Sequence, residues 1–250
     1  MGDSKSLRLV TTDGATDYSF SHTAANGFPR LLPPARKIGL GRRALAGMMP
    51  SDKGDEGSPP AKFESALERD FFVLLEFNVD VLRWDAQPVR LDLGDKVYTP
   101  DVLVTYLGPS RRADDVHHVL YEVKYREELQ RLWPTLRPKY RAAVRFARSQ
   151  GWRFKLITER EIRTELLWNA KFLLPYRHDP PVDEDCDRLL RALANCEVTT
   201  PSALLTACSM DPLVQARLLT SLWHLVARRV VAADLTCRLR MDSAIWRDGQ

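Results

Sequence analysis

Two carboxylates and a lysine interrupt apolar segments that have the length of β-strands. The run 97–106 contains Asp101, and the run 119–125 contains Glu122 and Lys124. A charged side chain in a low-dielectric interior is costly unless it is paired or binds a metal ion. These three residues are therefore the first candidates for a functional site.

The chemistry that this set suits is hydrolysis of a phosphodiester. A divalent metal ion would neutralise the phosphate and lower the pKa of an attacking water. Hard cations such as Mg²⁺ bind oxygen ligands, which Asp101 and Glu122 can supply from adjacent strands. Lys124 lies two residues after Glu122, so it projects from the same strand face and can orient the nucleophile or stabilise the transition state. Either Glu64 or Glu68, on the preceding predicted helix, can complete the metal site.

A purely structural explanation of these residues stays open. Glu122 and Lys124 would then form an ion pair, and Asp101 would only begin a strand after a proline. The pattern D/E-x-K is weak by itself, because residues 3–5 of the polar leader also match it. The order of a glutamate-bearing helix, a strand, a hairpin and a second strand favours the metal interpretation.

The segments before and around these residues predict the elements that position them. Apolar side chains recur at helical spacing over 63–78. Three strand-like runs follow, the first of them broken at a Gln-Pro pair that begins at Gln87. The polar segment 107–115 predicts a hairpin loop between the second and third runs. We could assign no role to Gln87 from the sequence.

The next segments predict helices on both sides of a mixed sheet. Pro138 predicts the start of a helix that ends at Gly151, a strand follows over 152–159, and an amphipathic helix over 161–174. The whole order is helix, three strands, helix, strand, helix, which is typical of the α/β class with a mixed sheet flanked by helices. Both Trp152 and the tryptophan at position 168 are expected to pack in the core.

The C-terminal part predicts three short helices and a small hairpin. A threonine before Pro201 and an aspartate before Pro212 predict two helix starts. The alternating segment 230–241 predicts a hairpin, and three helices with a hairpin are the outline of a winged helix-turn-helix. This part is nearly neutral and has no lysine after Lys171, so docking on a protein is as open as contact with DNA.

Two groups of basic side chains predict contacts with DNA phosphates. No acidic residue lies between Asp17 and Asp52, and one face of the helix predicted after Pro138 carries a row of arginines. A solvated leader and a solvated helix face are the alternatives. The candidate contacts are Arg36, Lys37, Arg42 and Arg43 in the leader and Arg137, Arg141, Arg145 and Arg148 on the helix.

Composition excludes several classes of protein. No apolar run approaches the ~18 residues that cross a bilayer, and the N-terminus lacks the apolar core of a signal peptide. We therefore expect a cytoplasmic protein with no membrane partner. The four cysteines are widely and irregularly spaced, which favours reduced thiols over a zinc site or disulfides.

The same residues resemble a known family. The Pro-Asp pair that ends at Asp101 and the Glu-Val-Lys triplet that ends at Lys124 resemble the PD-(D/E)xK nucleases. More narrowly, "FESALERDFFVLLEFN…QP…YTPDVLV…YEVK" resembles the catalytic domain of TnsA, the endonuclease subunit of heteromeric transposases, over about residues 62–175. By this resemblance Glu68 is the helix carboxylate, Asp101 and Glu122 are metal ligands, and Lys124 is the active-site lysine. Some members have glutamine in place of Glu122, whereas this chain has the carboxylate.

The resemblance implies a fold, an activity and partners. The fold is a restriction-endonuclease-like mixed sheet followed by a winged helix-turn-helix, divided as a basic arm 1–60, an endonuclease domain 61–178 and a C-terminal domain 179–250. The activity is Mg²⁺-dependent endonuclease cleavage, with Mn²⁺ as a substitute, of the non-transferred strand at the 5′ ends of a transposon during cut-and-paste transposition. The partners are transposon-end DNA at the bacterial nucleoid, a TnsB-like DDE transposase and a TnsC-like AAA+ regulator.

Two other functions stay open at this point. The first is a stand-alone restriction- or resolvase-like nuclease on the same fold, which would cut a specific sequence or structure without a transposase. The second is a catalytically inactive winged-helix DNA-binding or scaffold protein, whose DNA binding would be indifferent to Mg²⁺.

Overall fold

The structure of the chain is a computed structural model. The four leader residues that are predicted to contact DNA lie outside the residues that it describes, so these contacts stay a prediction. The described residues are 30–32, 46–54, 59–94, 96–112, 114–178 and 181–247.

The contacts divide the chain into two compact units, the first ending at Ile162 and the second beginning at Arg163. The strands of the first unit are β1 (Arg30–Leu32), β2 (Gly47–Met49), β3 (Ala61–Phe63), β4 (Val81–Ala86), β5 (Arg90–Asp92), β6 (Val97–Tyr98), β7 (Val102–Leu107), β8 (Val116–Val123) and β9 (Arg153–Ile157). Its helices are α1 (Ala66–Phe77), α2 (Arg126–Ser149) and α3 (Glu159–Ile162).

A four-stranded mixed sheet forms the centre of the first unit, with the strand order β4-β7-β8-β9. The pairs β4–β7 and β7–β8 are antiparallel, and β8–β9 is parallel, with α2 as the crossover between them. The hairpin predicted around 107–115 is therefore confirmed. A mixed sheet flanked by helices is likewise what the sequence predicted, and it fits a nuclease fold.

Side chains that alternate along the strands fill two hydrophobic layers, one on each face of the sheet. On one face, Val102 and Tyr121 pack with Phe71 and Phe72 of α1. On the other face, residues such as Leu120 pack with α2. Burying one large apolar side chain in these layers stabilises the fold by about 1.5–3 kcal/mol. A charged side chain on this sheet forgoes that gain, so its presence requires an explanation.

The start of α2 differs from its prediction. The helix begins at Arg126 and contains both Pro134 and Pro138, so Pro138 does not open it. The two prolines are four residues apart on the same exposed face. The carbonyl groups that lose a hydrogen-bond donor there can bond to water, which makes an interior proline tolerable. Gly151 follows the end of the helix with a φ of +72°, as predicted for a terminating glycine.

Two predicted strand runs are each divided between sheets. The first run separates at Gln87 into β4 and β5, at the break that the Gln-Pro pair predicted. The second run separates into β6 and β7 on either side of Asp101, which its apolar pattern did not show. Strands β5 and β6 join β1 in a second, antiparallel sheet, and β2 pairs with β3. This second sheet brings Tyr98 of β6 into the layer beneath α2.

The second unit consists mainly of helices. Its helices are α4 (Glu165–His178), α5 (Asp183–Leu193), α6 (Pro201–Cys208) and α7 (Pro212–Ala227), and its strands are β10 (Val231–Ala233) and β11 (Ile245–Arg247). The helix predicted over 161–174 is thus two helices, α3 and α4. Helix α4 packs on α7, where the rings of Phe172 and Trp223 lie 5.3 Å apart. This packing is why the contacts divide the chain after Ile162, whereas the sequence suggested a boundary after residue 178.

Both predicted helix starts in this unit are present. Thr200 accepts a hydrogen bond from the Ala203 N–H at 3.2 Å, and Asp211 accepts one from the Leu213 N–H at 2.9 Å. In each case a proline follows the cap at the first helical position. Side-chain caps of this kind are encoded locally, which explains why the sequence was sufficient to find them.

The predicted hairpin is placed incorrectly. Strand β10 pairs with β11, not with the end of the segment 230–241. The intervening segment is held by Asn169 of α4, whose side chain donates to the carbonyls of Leu235 and Cys237 and accepts the N–H of Leu239. The prediction that Trp168 is buried is also wrong, since 54% of its surface is exposed. Three helices with a two-stranded sheet follow the predicted order, and a winged helix-turn-helix stays a prediction.

No helix within the described residues combines the length and the apolar character that a membrane crossing requires.

Candidate active site

Asp101 lies where the chain passes from β6 to β7. Its N–H donates to the Tyr121 carbonyl at 3.1 Å, and its Oδ2 accepts the Val123 N–H at 2.7 Å. Asp101 is thus bonded to β8 on both sides of Glu122. The structure therefore places Asp101, immediately before β7, next to Glu122 of the neighbouring strand β8, as the sequence predicted.

Glu122 is buried on the α2 side of the sheet, with 2% of its surface exposed. Its Oε2 accepts a hydrogen bond from the Tyr98 hydroxyl at 2.6 Å, and its Oε1 accepts one from the Lys139 ammonium at 2.9 Å. The ammonium also lies over the rings of Tyr98 and Tyr140, at 4.6 Å and 4.9 Å from their centroids. A buried carboxylate here has both a charged partner and a neutral donor, as its burial requires.

Glu68 lies in the first turn of α1 and takes part in a capping box. Its N–H donates to the Ser65 hydroxyl oxygen at 3.1 Å, and its carboxylate accepts the Ser65 hydroxyl at 2.9 Å and the Glu64 N–H at 2.8 Å. The positive end of the helix dipole also favours a carboxylate at this position. The local sequence therefore fixes the direction of the Glu68 side chain.

Gln87 connects the segments that carry Asp101 and Glu64. Its N–H donates to the Asp101 carbonyl at 2.8 Å, and its Nε2 donates to Glu64 Oε1 at 3.1 Å. Its φ of +50° is uncommon for a residue other than glycine. The structure thus gives Gln87 a positioning role that the sequence did not reveal.

Lys124 follows the last residue of β8, and its N–H donates to the Ile157 carbonyl at 3.1 Å. Its ammonium lies 3.7 Å from Glu128 Oε1 in the first turn of α2. The ion pair between Glu122 and Lys124 that the sequence left open is not the one that forms, because Lys139 is the partner of Glu122. Burial raises the pKa values of Asp101 and Glu68, and the Lys124 charge offsets a small part of this rise.

The electrostatics of the cluster are dominated by negative charge. Burial raises the pKa of Asp101 well above its ordinary value, and the carboxylates of Glu122 and Glu68 raise it further, against the Val123 N–H and Lys124. Burial likewise raises the pKa of Glu68. Three carboxylates that repel one another in a partly dry site are the condition that a divalent cation relieves.

The donor set fits Mg²⁺, although it is not a ready-made cage. Within the described residues, no three His, Cys, Asp or Glu side chains are already arranged to hold a metal ion. The carboxylates of Glu122 and Glu68 are turned toward protein donors, but each carboxylate oxygen can accept more than one bond. Burial and the nearby Glu122 carboxylate raise the pKa of Tyr140, so its hydroxyl also faces this carboxylate.

Two family models match the chain. The model described as TnsA-like endonuclease N terminal matches residues 78–159, and the model described as TnsA endonuclease C terminal matches residues 161–235, together more than half of the chain. The chain belongs to the TnsA-like endonuclease family. No curated protein matches it. The resemblance seen in the sequence is thus confirmed, and this TnsA-like chain is an endonuclease subunit of the type that serves a heteromeric transposase.

The N-terminal match includes three of the four predicted site residues. Asp101, Glu122 and Lys124 fall inside it, whereas Glu68 lies before its first residue. The assignment of Glu68 therefore rests on its position and charge in this structure. The roles of all four residues stay predictions.

Sequence reasoning missed the residues that surround Glu122. Tyr98 belongs to a strand of two residues in a different sheet, and nothing in its local pattern points to a carboxylate. Lys139 is the only lysine of α2, among several arginines, which is a weak signal at most. All four arginines predicted on this helix are exposed. Arg137, Arg141 and Arg145 line a groove between α2 and β9, whereas Arg148 does not.

The raised pKa values predict how metal binding by the TnsA-like chain depends on pH. The folded, metal-free chain retains protons on Asp101 and Glu68 that the unfolded chain releases above about pH 4. The stability of the metal-free chain should therefore decrease as the pH rises from there through the folded pKa values. Because a metal ion competes with these protons, the rise in melting temperature caused by Mg²⁺ should increase between about pH 5.5 and about pH 8. Calorimetry with Mg²⁺ and with EDTA measures this rise in melting temperature. A rise that is constant from about pH 5.5 to about pH 8 would contradict the assignment of Asp101 and Glu68 as metal ligands.

The two glutamates of the TnsA-like chain are distinguished by matched substitutions. Glu68→Ala should abolish DNA cleavage because the Glu68 carboxylate acts directly on Asp101. Glu64→Ala should preserve most of it, because the Glu64 carboxylate bonds the Gln87 side chain, whereas the Gln87 N–H that holds Asp101 stays in place. Nicking of a supercoiled plasmid in Mn²⁺, with the partner proteins where they are needed, measures both variants. The reverse result would make Glu64, which lies just before α1, the third metal ligand.

Proposed function

We propose that this chain is the Mg²⁺-dependent subunit that cuts the non-transferred strand at the 5′ ends of a transposon during cut-and-paste transposition. The proposal combines the family of the chain with one structural observation. Asp101, Glu122, Glu68 and Lys124 converge at the end of β8 with an excess of negative charge. An inactive scaffold has no need of such a cluster, which destabilises the metal-free fold.

Each residue has a separate task in the proposed reaction. The metal ion, when bound, supplies positive charge to the scissile phosphate and lowers the pKa of the attacking water. Asp101 and Glu122 would hold it from adjacent strands, and Glu68 from the first turn of α1. Lys124 would orient the nucleophile and stabilise the charge that develops on the phosphate. Attack on phosphorus breaks the bond to the 3′ oxygen, which leaves a 5′-phosphate and a 3′-hydroxyl.

The residues around the ligands position them. Gln87 holds the backbone of Asp101, and Tyr98 and Lys139 hold the two oxygens of Glu122. These bonds restrict the carboxylates to few conformations before substrate arrives. Preorganised ligands lower the reorganisation that the reaction needs.

The proposed partners follow from the same assignment. A TnsB-like DDE transposase would join the 3′ ends of the element, and a TnsC-like AAA+ regulator would select when cleavage occurs. The second unit is nearly neutral, so we assign it mainly to docking on these proteins with some contact to DNA. The TnsA-like chain alone would then cut DNA weakly or without specificity.

Isothermal titration of Mn²⁺ and Mg²⁺ into the wild type and Asp101→Ala is the first test. We expect binding in the wild type that is lost in the variant, with DNA present if phosphates complete the site. No binding to the wild type, with or without DNA, would overturn the proposal.

A cleavage assay separates the proposal from the two alternatives. Addition of a TnsB-like transposase should be required for efficient cutting at the element ends, and 5′-end labelling should show the cut in the non-transferred strand. Specific cutting by the pure chain would indicate a stand-alone nuclease. Tight DNA binding that is indifferent to both Mg²⁺ and Asp101→Ala, without cutting, would indicate an inactive scaffold.

A further inference from the structure

A groove of about 620 Å³ lies between α2 and β9 in the first unit. Three aromatic rings follow one another along it. The centroids of Trp133 and Tyr140 are 6.1 Å apart, and those of Tyr140 and Phe154 are 6.0 Å apart. Three arginines of α2 also line the groove: Arg137, Arg141 and Arg145.

These arginines present positive charge that the described part of the chain does not neutralise. All three are exposed, and none forms an ion pair with a carboxylate of the described residues. They are spaced four residues apart, so they lie on one face of the helix about 5–6 Å from one another. An uncompensated row of this kind attracts a polyanion such as a nucleic-acid backbone.

The exposed ring of Trp133 decides which nucleic acid fits. Trp133 is 43% exposed although it is among the largest apolar side chains. The bases of a duplex are stacked on one another, so their faces cannot reach an aromatic ring, whereas an unpaired base can stack on it. Phosphate contacts alone would suit either form, but the exposed ring of Trp133 beside a row of arginines suits a single strand.

The groove lies next to the candidate active site, with the buried ring of Tyr140 between them. Tyr140 lines the groove, and the Glu122 charge acts on its hydroxyl. The neighbouring residue in the helix, Lys139, carries the ammonium that bonds Glu122. A strand that lies in the groove would therefore run close to the candidate metal ligands, separated from Glu122 by the Tyr140 side chain.

We propose that this groove binds a single-stranded DNA segment next to the cleavage site, with Trp133 stacking on an unpaired base. The three arginines would contact its phosphates. The location beside a cleavage centre rests on the proposed function, but binding of a single strand to the groove needs neither metal nor cleavage. The groove would thus hold a strand that is unpaired near the cut.

The test measures binding of a fluorescent single strand of about 12 nucleotides and of a blunt duplex of the same length, with the full chain in EDTA. We expect the single strand to bind more tightly and to quench tryptophan fluorescence. Trp133→Ala should weaken single-strand binding about tenfold and remove most of the quenching. Trp168→Ala, at an exposed tryptophan of the second unit, is the matched control and should change neither.

The salt dependence tests the arginines. Arg141→Ala should reduce the slope of log affinity against log salt by about 0.7, as the loss of one phosphate contact predicts. Arg148→Ala, on the same helix but outside the groove, should leave the slope unchanged. Equal effects of these two variants, equal affinity for the duplex, or unchanged binding by Trp133→Ala would each overturn the proposal. If neither DNA binds, the single-strand proposal is wrong as well, and a protein segment becomes the candidate ligand of the groove.

The single-strand proposal and the proposed function can be refuted independently of each other. Loss of metal binding or of cleavage, with single-strand binding intact, would refute the nuclease assignment and leave the groove as a single-strand site. Metal-dependent cleavage in a chain that does not prefer single strands would refute only the groove.

Discussion

Replacement of Asp101 by asparagine should reduce DNA cleavage at least about a thousandfold while raising the melting temperature of the metal-free chain. The loss of activity follows because a neutral amide is a poor ligand for Mg²⁺, whose charge stabilisation amounts to several kcal/mol of the barrier. The gain in stability follows because the carboxylate is partly buried and is repelled by Glu122 and Glu68. An amide of the same shape can still accept the Val123 N–H.

The size of the gain can be bounded. Removal of one charge from a cluster whose pKa values are raised should stabilise the chain by about 1 kcal/mol near neutral pH, or ~2–4 °C in melting temperature. Calorimetry in EDTA measures the gain, and plasmid nicking in Mn²⁺ measures the loss of activity. Addition of Mg²⁺ should raise the melting temperature of the wild type but not that of the variant.

Asp114→Asn is the matched control for this substitution. Asp114 lies in the β7–β8 hairpin loop, where it pairs with Arg112 in solvent. The control should change neither the stability nor the cleavage. A fall in the melting temperature of Asp101→Asn would show that the carboxylate has a structural role, and retained cleavage would remove Asp101 from the metal site.

Lys139→Met should destabilise the metal-free chain by roughly 3 kcal/mol, because it leaves the buried Glu122 carboxylate without a charged partner. Tyr98 alone would then donate to that carboxylate. If Glu122 binds Mg²⁺, the ion supplies the missing positive charge, so the deficit should shrink when Mg²⁺ is present. Urea unfolding of wild type and variant in EDTA and in Mg²⁺ measures the two deficits.

Two further variants make the result specific. Lys62→Met, at an exposed lysine of β3, should cost less than about 0.5 kcal/mol under both conditions. The double variant Glu122→Gln with Lys139→Met should regain much of the stability lost by Lys139→Met, because removing both charges leaves none unpaired. A deficit that is equal with and without Mg²⁺ would mean that the metal does not reach Glu122. In that case Glu122 is a structural partner of Lys139 and not a metal ligand.

The sequence by itself determined which residues are candidates for chemistry. Asp101, Glu122 and Lys124 stand out because charge is rare in apolar runs of strand length, and the pattern around them led to the correct family. The helix with Glu68 and the helix caps at Thr200 and Asp211 are also local signals, in which neighbours along the chain supply the hydrogen bonds. Local patterns of this kind can be recognised in the sequence without any knowledge of the fold.

Errors occurred where a distant contact overrides a local rule. Pro138 is a good first residue for a helix, yet α2 begins at Arg126 and continues through it, which the helix tolerates because this face is exposed. The segment after β10 alternates like a strand, yet Asn169 of α4 holds it as a loop. Trp168 is apolar enough for a core, yet its helix turns it outward.

Only the tertiary structure decided what surrounds the carboxylates. The pairing of Glu122 with Lys139 and Tyr98 joins β8 to a helix and to a strand of another sheet, and the bond from Gln87 to Asp101 joins two strand ends. Spacing along the chain carries no information about such contacts, since they depend on which face of the sheet each element covers. The same holds for the groove, whose aromatic floor and arginines come from α2 and β9. The residue types were therefore readable in the sequence, and their partners were fixed by the packing of the sheet between its two layers.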